Sequence, residues 1–181
     1  MAINNNNKPP KGLDMPIING TAYWAKLERP AQKYNTTSPT ETEYVIDLAI
    51  DKKGKELITS LNPSSSIKNK EDDRGDFFTF KKNAFNRKGD PLPKPRLVDA
   101  KENSIAGTLI GNGSKVRVAF RVQEIENEKS AYNGKNKFYL DGVQVVDLIP
   151  YESSESFGEV DGYVAESTGN SGVSSEEKAP F

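Results

Sequence analysis

The run Lys115-Val116-Arg117-Val118-Ala119-Phe120-Arg121-Val122 decides the fold class. Its even positions, Val116, Val118, Phe120 and Val122, are apolar, while Lys115, Arg117 and Arg121 fall on odd positions. Side chains along a strand point alternately to opposite faces, so one face of this run packs on a core and the other carries charge. A helix would need apolar spacings of three and four, which the run lacks.

The same period recurs on either side. Tyr44 to Ile50 sets Tyr44, Ile46, Leu48 and Ile50 together, and Thr21 to Leu27 divides Tyr23, Ala25 and Leu27 from Ala22, Trp24 and Lys26. Phe77 to Lys82 and Gly142 to Ile149 are further strands; Val145-Val146 interrupts the last one, as a bulge would. One short helix is expected over Lys53 to Leu61, with an apolar stripe of Leu57, Ile58 and Leu61 before the Asn62-Pro63 break. Ser64 to Gly75 and Gly89 to Pro95 are expected as long surface loops. Five strands joined by Gly-, Pro-, Asn- and Ser-rich connections predict an all-β barrel or sandwich with one short helix.

The flanks differ from this body. Residues 1–16 hold an Asn run, Pro9, Pro10 and Gly12, and are expected as a flexible arm. The body is expected over residues 17–151. Beyond it, residues 152–181 are rich in Ser, Gly and Glu, with too little apolar surface to offset ordering entropy, and are expected to be a disordered tail.

Composition narrows the chemistry. Histidine and cysteine are both absent from the 181 residues, which removes the commonest general base, the thiol nucleophile and the usual transition-metal ligands. A non-enzymatic protein without metal or cofactor is expected. No secretion signal opens the chain and no apolar run approaches membrane-spanning length, so a cytoplasmic protein without a membrane partner is expected. The net charge of -1 conceals an asymmetry. The last 30 residues carry seven acids against Lys178, a balance of -6, and the remaining 151 carry 24 bases against 19 acids, a balance of +5. A basic body carrying an acidic tail is a different object from a neutral protein.

Nucleic acid requires cations for phosphates and flat rings for unstacked bases. Phe77 to Lys88 interleaves four aromatics with four bases, and Tyr23-Trp24-Ala25-Lys26 and the Lys135, Lys137, Phe138, Tyr139 cluster repeat the mixture. The contact candidates are Trp24, Lys26, Phe80, Lys82, Arg87, Lys115, Arg117 and Arg121. Alternation alone leaves open whether Trp24 and Phe80 face the core or a ligand. The chain ends in Ala179-Pro180-Phe181 behind Glu176 and Glu177, and a carboxylate beside an apolar ring suits a peptide-binding pocket lined by basic groups.

Other motifs carry less. Gly111-Asn112-Gly113-Ser114-Lys115 has the wrong order for a P-loop and suits a turn before a strand. Asp99-Ala100-Lys101-Glu102 lacks the second carboxylate of a metal nuclease. Glu71-Asp72-Asp73, set among Lys68, Lys70 and Arg74, suits a solvated loop better than a cation site.

The tail resembles the acidic tips of single-stranded DNA-binding proteins, both the bacterial type ending in Pro-Phe and the phage replication type ending in an aromatic. The body is similar to the phage OB-fold single-stranded DNA-binding family at Pro95 to Ala100, Ile110 to Val118 and Gly142 to Leu148. The resemblance spans residues 17–151 and the chain end. It implies a five-stranded OB-like barrel and sequence-independent binding of single-stranded DNA. It further implies contact with replication and recombination proteins through Glu176, Glu177, Pro180 and Phe181. A phage-encoded member would work in the host cytoplasm, and such proteins are often homodimers, a state the sequence does not decide. Lys178, and only two acids in the last eight residues, depart from the family tail. Two other classes compete: a non-catalytic adaptor barrel that binds acidic proteins, and a carboxylate-dependent nuclease.

Overall fold

All five expected strands are present in the computed structural model, which describes residues 15–63 and 65–151. In chain order the elements are β1 (Ile17–Gln32), β2 (Thr42–Ala49), α1 (Lys52–Leu61), β3 (Lys68–Asn69), β4 (Asp76–Asn83), β5 (Arg96–Val98), β6 (Lys115–Glu124) and β7 (Asn136–Asp147). Most of the expected arm, and the whole tail with Glu176, Glu177, Pro180 and Phe181, lie outside the described residues.

Hydrogen bonding orders the strands β3-β4-β2-β1-β6-β7-β5. Every pairing is antiparallel except that of β5 with β7. β1 serves two neighbours: Ile17 to Thr21 pair with β6, and Thr21 to Gln32 pair with β2. The sheet therefore curls, bringing β4 and β7 to face each other across a seam. There the rings of Phe78 and Phe138 approach to 5.7 Å between centroids. The result is an OB-like barrel of five long strands, β1-β2-β4-β7-β6, with β3 and β5 added as short edge pieces. One seam is closed by side chains and not by a backbone ladder.

The core follows the alternation. Ile46 and Leu48 from β2, Phe80 from β4, Val116, Val118 and Phe120 from β6 and Leu140 from β7 are fully buried. Phe80, Phe120 and Phe138 form a chain of ring contacts at 5.0 and 5.1 Å. Burying each ring contributes about 1.5–3 kcal/mol. Helix α1 begins where Asp51 accepts a hydrogen bond from the Gly54 N–H at 2.9 Å, a side-chain N-cap. It buries Ile58, and Leu57 and Leu61 pack against the same core.

Two departures from simple alternation have local causes. In β7, Lys115 pairs with Asp147 while Val116 pairs with Val145, so Val146 is the extra residue at the expected bulge. Val145 is buried and Val146 is 56% exposed. In β1, Tyr23 pairs with Asp47 and Lys26 with Val45, leaving one residue too many between them. The expected division of Ala22 from Leu27 is thereby corrected. Both are buried, because the bulge reverses the parity of the strand between them.

β7 also starts six residues earlier than its sequence reading. Gly142 marks a point inside the strand, where a Cβ would stand 3.1 Å from the Arg96 carbonyl oxygen of the crossing β5. It therefore reflects close backbone approach, not a strand end.

Candidate nucleic-acid interface

The seam between β4 and β7 opens outward as a cleft of about 360 Å³. Lys81 comes from β4, Lys68 from β3, Lys137 and Tyr139 from β7, and Tyr132 and Lys135 from the β6–β7 loop. Alternation in β7 explains part of the set: Phe138 and Leu140 point inward, so Lys137 and Tyr139 point out. The loop is drawn closed by two backbone bonds, Ile125 N–H to the Lys135 carbonyl and Gly134 N–H to the Ile125 carbonyl, each 2.9 Å. Gly134 sits at φ +77, where a side chain would be strained.

Loop closure places Lys135 Nζ 5.3 Å from the Tyr132 ring centroid, and Lys137 Nζ lies 5.1 Å from that of Tyr139. Tyr132 remains 63% exposed, with a ring face available. The base of the cleft is tied to the helix end. Asn62 Nδ2 donates to the Asn136 carbonyl at 2.7 Å, and Asn136 Nδ2 donates to the Leu61 carbonyl at 2.6 Å.

Four lysines line this cleft against one lining carboxylate, Glu43, which pairs with Lys81 at 3.0 Å. An adjoining hollow of about 410 Å³ shares Asn83 and Tyr139 and adds Lys82 and Arg121. Burial holds the Lys82 ammonium pKa below the ordinary lysine value; Asp141 acts against that shift and Arg121 adds to it. Arg121 is held 3.3 Å from Asp141.

The outer face of β2 and β4 forms one wall, and register sets it in rows. Tyr23, Asp47 and Thr79 make one row across three strands, and Lys26, Val45 and Lys81 the next. The first row is covered. Arg74 from the β3–β4 loop reaches Asp47 Oδ2 at 2.7 Å, its guanidinium lies 4.0 Å over the Phe77 ring, and the Tyr23 hydroxyl donates to the Asp73 carbonyl at 3.2 Å. The hydrogen bonds from Arg74 hold the Asp72 carboxyl below its ordinary range. The second row is left open.

No protein-family model matches this chain, and no curated protein matches it. Among solved structures, the chain is similar to the following at TM-scores under 0.5. The single-stranded DNA-binding protein gp2.5 encoded by bacteriophage T7 is 22% identical with a TM-score of 0.49, over 84% of this chain and 100% of that one. The single-stranded DNA-binding protein of bacteriophage Enc34 is 15% identical with a TM-score of 0.48, over 77% of this chain and 84% of that one. The Enc34 protein in complex with single-stranded DNA gives 15% and 0.47, over 78% and 87%.

The structure sorts the eight sequence-derived contact candidates into five places. Lys82 and Arg121 join the hollow beside the cleft. Phe80 is corrected: it is wholly buried, because Thr79 and Lys81 take the outer face of β4, where Phe77 is itself covered by Arg74. Lys115 and Arg117 lie on the outer face of β6, bonded to Thr21 Oγ1 at 2.8 Å and Gln144 Oε1 at 2.9 Å. They line a groove with Asn19, Asp51 and Val146, apart from the cleft. Arg87 is exposed at the tip of the turn from Asn86 to Asp90. Trp24 and Lys26 are exposed on β1.

Lys68 and Tyr132 had no sequence signal, since Lys68 reaches the cleft through the pairing of β3 with β4 and Tyr132 through loop closure. Lys135, Lys137 and Tyr139 were visible as a mixed cluster, and the alternation Lys137-Phe138-Tyr139-Leu140 marked the outward pair. Among the described residues, no helix is long and apolar enough to cross a membrane. None of the His, Cys, Asp or Glu side chains among them forms a group of three placed to hold a metal.

Proposed function

We propose that this protein binds single-stranded DNA without sequence preference and without catalysis, with the β4–β7 cleft as its primary site. The observation that carries the reading is the joint placement of Lys68, Lys81, Lys135 and Lys137 with the Tyr132 and Tyr139 rings along an open seam. Ammonium groups neutralise phosphates whatever the base, and a tyrosine face stacks on any base. Neither feature reads sequence. The β2–β3 face of an OB barrel and its flanking loops are the usual oligonucleotide site, and here that face is the outer surface of β2 and β4.

A base must be unstacked to meet a tyrosine face, which favours single strands over duplex. We place the activity on exposed strands during DNA replication or recombination, in the host cytoplasm if the protein is phage-encoded. The arm and the tail flank the binding body, and the tail contacts replication proteins through Glu176, Glu177, Pro180 and Phe181.

The test is a titration of labelled single- and double-stranded DNA at two salt concentrations, with chelator present and absent. Salt-sensitive preference for single strands, lost in Lys135→Ala/Lys137→Ala, is expected. Equal affinity for both forms, or binding untouched by the double substitution, would sink the cleft reading. Strand degradation that stops with chelator would favour a nuclease.

A further inference from the structure

Trp24 is the sole tryptophan of the chain, and it stands 60% exposed on a strand whose neighbours at Ala22 and Leu27 are buried. It occupies the bulge of β1 at φ +50, a backbone region that bulky residues rarely adopt and that persists only where the surroundings enforce it. The surroundings here are specific. The Asn112 side-chain oxygen accepts the Trp24 N–H at 2.8 Å, and the adjacent main chain is fixed by Ala22 N–H to the Ser114 carbonyl at 2.8 Å and Gly113 N–H to the Ala22 carbonyl at 2.9 Å. Ala25 packs against the core, so Trp24 is the supernumerary residue, and the fold holds its ring out of the core. A ring needed only for packing would not be held out in this way.

The register connects this ring to the cleft. Lys26, two residues on, shares a row with Val45 and with Lys81, which lines the cleft. Two strand spacings separate Lys26 from Lys81, or about 10 Å. The neighbouring row is closed by Arg74 and by the loop carrying Glu71, Asp72 and Asp73, whose carboxylates repel a polyanion. A strand leaving the cleft at Lys81, whose ammonium also pairs with Glu43, therefore has a path over the sheet past Val45 to Lys26.

We infer that Trp24 is a second, separate base-stacking site, reached by single-stranded DNA that exits the cleft along the Lys81–Val45–Lys26 row, so that the footprint has two parts. This rests on the cleft being the primary site. Short strands fill the cleft alone; longer ones also cover Trp24.

The single tryptophan supplies the readout. Oligothymidylates spanning roughly 4–16 nucleotides, the range of footprints for single OB barrels, are titrated into the full chain while label anisotropy and tryptophan emission are followed together. The shortest strands should bind without quenching, and quenching should set in above a threshold length. Trp24→Ala should weaken the long strands roughly 5- to 150-fold and leave the shortest unchanged, and Trp24→Phe should restore most of the loss.

Anisotropy changes without quenching at any length would overturn the inference and leave the cleft reading standing. Quenching by the shortest strands, with Trp24→Ala weakening all lengths alike, would merge the two sites and overturn it as well. An emission shift that depends on protein concentration without DNA, and is untouched by DNA, would assign the ring to a protein contact instead. Failure of every strand to bind would sink the cleft reading and this inference together.

Discussion

The Phe80 ring lies 5.0 Å from the Phe120 ring inside the barrel, centroid to centroid, and none of its surface reaches solvent. Phe80 therefore bridges β4 and β6 through the core, and its role is packing. Phe80→Ala should cost about 3–5 kcal/mol of stability in urea unfolding. The fraction that remains folded should bind single strands with unchanged affinity, measured by active-site titration. A loss of affinity at intact stability would return Phe80 to the surface.

On the cleft reading, two of its four lysines, Lys135 and Lys137, contribute to the salt dependence. Each phosphate contact on a single strand contributes about 0.7 to the slope of log affinity against log salt. Lys135→Ala/Lys137→Ala should lower the magnitude of that slope by about 1.4 in a salt titration. Arg87→Ala, at a turn tip apart from the cleft, should leave the slope as it was.

Stability should fall at acid pH. Asp72, Asp76, Asp99 and Glu28 all sit below their ordinary carboxyl values; the largest causes are hydrogen bonds from Arg74, Lys55, Asn103 and the Gly107 backbone, respectively. A carboxyl lowered in the folded state binds fewer protons there than when unfolded, so its contribution is full above the unfolded value and is lost as pH falls through the folded one. Urea midpoints should be flat from about pH 7 to 5 and decline below about pH 4. A midpoint that rises on acidification would contradict these four contacts.

Gly20 allows β1 to cross from β6 to β2. A Cβ there would stand 2.3 Å from the Ala49 carbonyl oxygen and 2.6 Å from Leu48 Cγ. Backbone cannot yield as a flexible side-chain end does, so Gly20→Ala should destabilise the barrel by about 1–3 kcal/mol, read by thermal or urea unfolding.

The Arg74 clamp should govern access to its loop. With Arg74→Ala, Asp47 keeps only the Thr79 hydroxyl at 2.6 Å and the Phe77 ring loses its cover. Limited proteolysis should then cut between Lys68 and Asp76 several-fold faster, while the barrel stays intact by circular dichroism.

Local sequence was enough for the strands, since period-two alternation in a run such as Val116 to Val122 has one stable arrangement once an apolar face needs a core. It also determined the Val146 bulge, where two adjacent valines cannot both face inward, and the helix before Asn62-Pro63. The excess of cations in the body was plain without any fold. The folded sheet fixes which cations lie together. Lys68, Lys81 and the Lys135–Lys137 pair come from three separate segments, and their meeting depends on curling the sheet until β4 faces β7. It also decided the opposite fates of two aromatics that local pattern could not separate. Phe80 went to the core because the register of β4 against β2 turned it inward. Trp24 went to solvent because one extra residue, held by an Asn112 amide 88 positions away, reversed the parity of β1. Alternation is a local property of the chain, whereas register and bulge placement are set by the partner strand, which the local sequence does not contain.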